Sequence, residues 1–338
     1  MTKRHIDGII PSHLLLELAA LNPDNLSLID TLARTQKIFQ AAKNKTVRYK
    51  FAAGKADRQI YDAKNASRLP GTKARFEGEA PTNDRIVELA YLYHGHMRDF
   101  LLAEFGWNSI DNKGMNLVGT VHYGKNYNNA FWNSFQMTYG DGDQLIFLCF
   151  VLLDVIGHEM THGITEKTSG LEYQAESGAL NEHISDVFGV MLRQWVMKLT
   201  ADKDSWLVGP GLFTDKVKGI ALRSMLAPGT AYNDPKLGKD PQPAHYKNLY
   251  RGSGDNGGVH INSGIPNKAF ADFSVAVGGF SWLVGGKIWW ESNMGTNRVG
   301  PNATFVEFAK KTVDNCTKMF PQHVAALKKA WNDVGVIV

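Results

Sequence analysis

The residues "DVIGHEMTHGITEKTSG" at 154–170 constrain this chain more than any others. They contain His158-Glu159-Met160-Thr161-His162. On an α-helix, residues i and i+4 stand on one face about one turn apart, so His158 and His162 can offer two imidazoles to one ion. Glu159 lies about 100° round that helix, too far off the face to be a further ligand but near enough to reach a water held by the ion. Zinc in catalytic sites takes three protein ligands and keeps one position for water. The metal lowers that water's pKa, and a carboxylate then takes its proton. A protein that only bound a peptide or an ion would need no base at Glu159.

The third ligand is expected on a second helix, and "ESGALNEHISDVFGVM" at 176–191 supplies it as Glu182. Ala179, Ile184, Val187 and Phe188 are the packing residues of that helix. His183 is turned about 100° from Glu182, which suggests a solvent-facing or structural role. Asp186 stands one turn after Glu182, where it can accept the second ring N–H of a ligand histidine, and Asn181 is another candidate for that task.

The rest of the chain reads as an ordinary globular protein of 338 residues, 43% hydrophobic and 21% charged. The longest apolar run, "LIFLCFVLLDVIG" at 145–157, is broken by Asp154 and falls short of the roughly 20 residues of a membrane span. Residues 1–50 carry 8 Lys/Arg against 4 Asp/Glu, and the remaining 288 carry 29 of each. The net charge of +4 therefore lies wholly in the first fifty residues, which marks a separable segment and is too weak to indicate nucleic acid. Two cysteines, Cys149 and Cys316, make no disulfide framework.

Hydrophobic periodicity predicts two short helices within 1–43, the first capped by Ser12, the second carrying Leu28, Leu32 and Phe39. A basic linker follows at 43–58. Residues 83–107 read as a helix with Ile86, Leu89, Ala90, Tyr93 and Met97 on one stripe, and "GMNLVGTVHYG" and "SFQMTYG" read as strands. From 151 onward helices dominate, at about 151–166, 176–198, 262–277, 281–293, 303–315 and 321–333.

"HEMTH", followed after nineteen residues by Glu182 in "GALNEHISD", resembles the thermolysin family of zinc endopeptidases. "YDAKNASRLPG" (61–71), "VHYGKNYNNAFWN" (121–133), "YGDGD" (139–143), "ALRSM" (221–225) and "DNGGVHINSGIPNKAF" (255–270) resemble family segments in the family's order. The resemblance implies a two-domain α+β fold. Its β-containing N-terminal domain and mostly α-helical C-terminal domain flank an active-site cleft, here at 46–165 and 166–338 after a propeptide-like segment at 1–45. It implies hydrolysis of internal peptide bonds of proteins and peptides, with zinc on His158, His162 and Glu182 and with Glu159 as the base. It implies that Tyr173 and His260 stabilise the oxyanion and that Asp255 orients His260. Asn129 and the Ala130 carbonyl would bind substrate backbone, and Arg223 a substrate carbonyl. A bulky apolar residue after the cut would enter a pocket lined by Val155, Leu222 and Phe147 or Phe150.

The chain departs from the family in two places. Acids expected to hold calcium are replaced by Arg193, Leu207, Pro210 and Ile220, leaving Asp154, so calcium dependence is expected to be weak or absent. The matching region is preceded by only about fifty residues, beginning "DGIIPSHLLLELA", which resembles the short propeptide of the protealysin-type subgroup. The expectation is a zymogen whose own N-terminal segment is an inhibitor, removed near the basic linker. Secretion is implied by the resemblance, although the first residues make a poor export signal, interrupted by Asp7 and Pro11. Retention in a bacterial cytoplasm or non-classical export is the alternative.

Overall fold

The computed structural model describes residues 8–42 and 56–338. Two N-terminal helices, α1 (Ser12–Leu21) and α2 (Leu26–Ala42), pack on each other ahead of the main body. Pro11, with its extended backbone, caps α1 without a side-chain bond; Ser12, expected as the cap, is the first helical residue. Phe39 belongs to α2, but its side chain, like most of the linker expected at 43–58, lies outside the description.

A mixed five-stranded sheet follows, in the order β2-β1-β3-β5-β4. Its strands are β1 (Arg58–Asp62), β2 (Thr72–Phe76), β3 (Leu117–Val121), β4 (Ala130–Trp132) and β5 (Met137–Tyr139). The predicted strands shrink to the parallel pair β3 and β5. β1 and β4 carry no alternating pattern that would have marked them, and in β2 the alternation of Lys73 and Arg75 with Ala74 and Phe76 spans only four residues. β4 pairs antiparallel with β5 and forms a border of the sheet, which leaves its outer edge open to another chain segment. Helix α3 (Arg85–Phe105) covers the sheet, capped by the Asp84 carboxylate, which accepts from Ile86 N and Val87 N. Its buried face is Val87, Ala90, Tyr91, His94, Met97, Phe100 and Leu101, displaced from the predicted stripe; Ile86, Leu89 and Tyr93 are only half-buried. The helix is covered on two sides, by the sheet and by the central helices, so its buried face is wider than one stripe.

Helices α4 (Leu153–Lys167) and α5 (Ala175–Met197) form the centre of the molecule. They touch backbone to backbone: a Cβ at Gly189 would stand 2.4 Å from the Asp154 carbonyl oxygen, and one at Gly157 would stand 2.9 Å from the Gly189 Cα. This closeness is what brings α5 side chains within bonding reach of the α4 histidines. Beyond α5 come two small antiparallel ladders, β6 (Leu207–Val208) with β7 (Arg223–Ser224) and β8 (Asn233–Asp234) with β9 (Gly238–Lys239). Then follow α6 (Asp255–Asn262), α7 (Gly264–Val277), α8 (Gly285–Asn293), α9 (Phe305–Met319) and α10 (Val324–Asp333). The sheet-bearing and helical halves make a two-domain α+β protein. No described helix is long and apolar enough to cross a membrane. Cys149 and Cys316 are both free thiols.

Candidate active site

α4 presents His158 and His162 toward Glu182 of α5. The two Nε2 atoms are 3.0 Å apart, and each lies 3.4 Å from a Glu182 carboxylate oxygen. The outer nitrogens are committed as donors: His158 Nδ1 to Asp186 Oδ1 at 2.9 Å and His162 Nδ1 to Asn181 Oδ1 at 2.8 Å. The Asn181 amide is itself oriented by its bond to the Leu171 carbonyl. Both Nε2 lone pairs therefore point into one space, beside a buried Glu182 Oε2 that has no hydrogen-bond partner. Two lone pairs and a carboxylate need a cation between them. Tetrahedral zinc, with bonds of about 2.0–2.2 Å, has ligand–ligand edges of about 3.3–3.6 Å, close to the spacing here. These are the only described residues grouped closely enough to hold a metal in this way. The residues fit zinc.

The electrostatics agree. Burial pushes His162 down to about 4, so it is neutral at ordinary pH. Burial also disfavours charge on His158, but the Asp186 and Glu182 carboxylates outweigh it and raise that group to about 9. The pocket thus favours a proton where a cation belongs, and a bound metal would displace it. Desolvation pushes the fully buried Glu159 carboxyl up to about 8, with the nearby Glu182 charge adding to it.

Tyr173 and His260 converge on Glu182 Oε1, the oxygen that His162 Nε2 also faces. The Tyr173 hydroxyl donates to Glu182 Oε1 and lies 3.1 Å from His260 Nε2. His260 Nδ1 is 2.7 Å from Asp255 Oδ1, while Asp255 Oδ2 accepts the backbone N–H groups of His260 and Ile261. Asp255 has a positive φ of 52°, as have Asn256, Gly257 and Gly258 after it, so the carboxylate folds back over the start of the helical turn that carries His260. Arg223, from β7, is clamped by Asp186 through Nε–Oδ2 at 2.9 Å and Nη2–Oδ1 at 2.7 Å. Of the two roles left open for His183, solvent-facing or structural, the structural one holds: it is fully buried, because the helical half wraps α5 from Ser177 to Gln194 on all sides.

The cleft is filled by the chain's own N-terminal segment. Ile9 N donates to the Ala130 carbonyl at 3.0 Å and to Glu159 Oε1 at 3.1 Å, and the Ile9 carbonyl faces Arg223 Nη1 at 3.4 Å. Ile10 exchanges two bonds with the Asn129 side chain, each of 2.9 Å. The other Glu159 oxygen accepts from Trp132 N at 2.8 Å. Gly8 lies so close to the border strand that a Cβ would stand 2.2 Å from the Ala130 carbonyl oxygen. His13 Nδ1 reaches Asp255 Oδ1 at 3.2 Å. Only about 20 Å³ of cavity remains between Ile9, Pro11, Leu222, Arg223 and their neighbours, room for a single water. Leu222 thus adjoins Ile9, while Val155, Phe147 and Phe150 are buried in the core. Asn129, the Ala130 carbonyl and Arg223, expected to bind substrate backbone, here hold this segment, whose register at Ile9 and Ile10 leaves no signature in side-chain pattern.

Arg193 lies between two buried acids. Its guanidinium bonds Asp154 Oδ2 at 2.8 Å, the Leu207 carbonyl at 2.6 Å and both oxygens of Asp204 at 3.1 and 3.2 Å.

Fold and site together define a metallopeptidase. The chain matches the family model described as thermolysin metallopeptidase, catalytic domain, over residues 28–166, and the one described as thermolysin metallopeptidase, alpha-helical domain, over 169–336. It is 43% identical to an "Extracellular metalloprotease" of Pectobacterium carotovorum subsp. carotovorum, covering 100% of this chain and 99% of that protein. It is 37% identical to a "Thermolysin" of Bacillus sp. (strain EA1), covering 82% of this chain and 50% of that protein. Among solved structures it is similar to the precursor of protealysin from Serratia proteamaculans, with a TM-score of 0.87 and 43% identity over 97% of this chain and 99% of that one. The chain belongs to the thermolysin family of metallopeptidases.

Proposed function

We propose that this chain is a zinc-dependent endopeptidase made as a zymogen, with residues 8–42 lying across its cleft in the direction of a substrate. The observation that carries the reading is the bond from Ile9 N to Glu159, beside three ligand atoms converging on one cation. Zinc, when bound by His158, His162 and Glu182, supplies a Lewis acid that acidifies water and polarises the peptide carbonyl. Glu159 takes the proton from the attacking water and delivers it to the leaving nitrogen, the position Ile9 N holds here. Tyr173 and His260 face the carbonyl oxygen as charge develops on it, and Asp255 holds His260 in that orientation. Asn129, the Ala130 carbonyl and Arg223 hold substrate backbone, as they hold Ile9 and Ile10.

By the same register, the residue after the cut corresponds to Ile9, an apolar side chain beside Leu222. Such a pocket separates substrates by only about 1–3 kcal/mol per methylene, so specificity is broad. Residues 8–42 inhibit by occupying the cleft until the linker is cut, and the extracellular relative favours export. The Arg193 guanidinium replaces calcium, so calcium dependence is weak or absent. The test compares wild type with Glu159→Ala on casein and on a peptide blocked at both ends. Wild type cuts both after linker processing and Glu159→Ala cuts neither; activity surviving the substitution refutes the mechanism.

A further inference from the structure

Behind the metal ligands runs a line of buried hydrogen bonds that the reaction as described does not use. It starts at Trp289 of α8, whose indole Nε1–H donates to His183 Nε2 at 2.7 Å. His183 Nδ1 lies 2.7 Å from Asn267 Oδ1, and Asn267 Nδ2 donates to Asp186 Oδ2 at 2.8 Å. Asp186 Oδ1 accepts from His158 Nδ1. Trp289, His183, Asn267, Asp186 and His158 are all fully buried.

The polarity of this line is forced. An indole nitrogen can only donate, so His183 Nε2 must accept. The proton of the neutral ring then sits on Nδ1 and is given to Asn267 Oδ1. That turns the Asn267 amide so that its NH₂ faces Asp186, which as a carboxylate can only accept. Asp186 receives four donors in all: His158, Asn267 and two from Arg223. One carboxylate thereby holds both a metal ligand and the arginine that faces the Ile9 carbonyl.

We propose that Trp289, His183 and Asn267 are positioning residues that fix the seat of Asp186. Through it they keep His158 Nε2 free for the metal and hold Arg223 in place for the substrate. The inference rests on the reading of this pocket as a zinc site. Without His183, Asp186 alone holds the Asn267 amide, and the buried Asn267 Oδ1 loses its donor. An amide that shifts to find another donor weakens its bond to Asp186 in a site that water does not reach. Partners of metal-ligating histidines alter metal affinity by about 10–100-fold when removed. A partner two bonds further out is expected near the lower end, about 10-fold.

The experiment measures zinc affinity by competition with a chromogenic chelator, at 25 °C, on the full chain, alongside kcat and KM of the processed enzyme. His183→Phe fills the space and removes both bonds; its zinc affinity is expected to fall about 10-fold. His183→Gln can accept from Trp289 and donate to Asn267, so it should restore affinity to within about 3-fold. Rescue by Gln is the readout that mere packing would not give. Trp289→Phe removes only the N–H donor and serves if His183→Phe does not fold; it is expected to lose about 3-fold. Zinc affinity unchanged in folded His183→Phe, affinity as weak in His183→Gln as in the Phe variant, or no loss in Trp289→Phe overturns the proposal. A wild-type chain that binds no zinc would overturn the metallopeptidase reading as well, whereas equal binding by wild type and variant sinks only this one.

Discussion

Removing the Arg193 side chain with Arg193→Met should damage the fold severely. Asp154 and Asp204 have side chains only 3% and 2% exposed, and Arg193 is the cation that bonds both. Each acid keeps some partners without it. Asp154 Oδ2 accepts from Gly209 N, and Asp204 Oδ2 from Gln194 Nε2 and Trp206 N. The positive charge, however, is lost. Breaking a buried ion pair by deleting one partner costs about 3–5 kcal/mol, because the other charge remains buried and uncompensated. At about 2–4 °C per kcal/mol for lobes of this size, Tm should fall by roughly 6–20 °C. The substitution also leaves Asp154, Asp204 and the Leu207 carbonyl around an open space, and oxygen ligands are what calcium takes. Scanning calorimetry with and without millimolar calcium should therefore show no effect on wild type and partial recovery in Arg193→Met. A variant melting within about 2 °C of wild type, or a wild type whose Tm collapses in a calcium-selective chelator, refutes the argument.

His122 bridges Asp141, at 2.9 Å, and Asp84, at 3.0 Å, tying the cap of α3 to the loop after β5. Its hydrogen bond with Asp141, against some desolvation and with help from Asp84, raises it to about 9. A folded pKa above the unfolded value of about 6.5 means stabilisation that is full below pH 6.5 and lost as pH rises through about 9. Tm should fall between pH 7 and 10 in wild type, and His122→Gln should flatten that slope; parallel slopes would contradict it. Gly8→Ala places a methyl against the Ala130 carbonyl. If docking of the segment weakens by about 1–2 kcal/mol, peptide hydrolysis by the unprocessed chain should rise about 5–30-fold, and no rise counts against the register.

Much of the site was legible because helical periodicity turns spacing into direction. His158, His162 and Glu182 could be aimed at one point from their positions on two amphipathic helices, and Asp186 and Asn181 could be set behind them. The sheet was harder. "RQIYD" and "TKARF" are short and charged, and pair with their neighbours through main chain rather than through an apolar face. For His183, spacing left a solvent-facing and a structural role open, and only its buried partners, Asn267 and Trp289, 84 and 106 residues away, decide for the structural one. In the sequence, Arg193 read only as the replacement of an expected acid. That it bonds Asp204 depends on how the loop after α5 folds back. The charge break after residue 50 suggested that the N-terminus was separable. Its seat in the cleft depends on the main chain of Ile9 and Ile10, to which composition is blind.

The account turns on one site that cuts peptide bonds and is covered by its own N-terminal segment. The most direct test incubates purified zinc-loaded chain, follows hydrolysis of a blocked peptide, and takes intact-mass spectra of the same samples. Turnover should be only residual while residues 8–42 remain attached, rise in step with their loss through a cut between 42 and 56, and be absent at any time in Glu159→Ala. Full activity in a chain that still begins at Met1 would contradict the covered cleft, and activity in Glu159→Ala would contradict the chemistry.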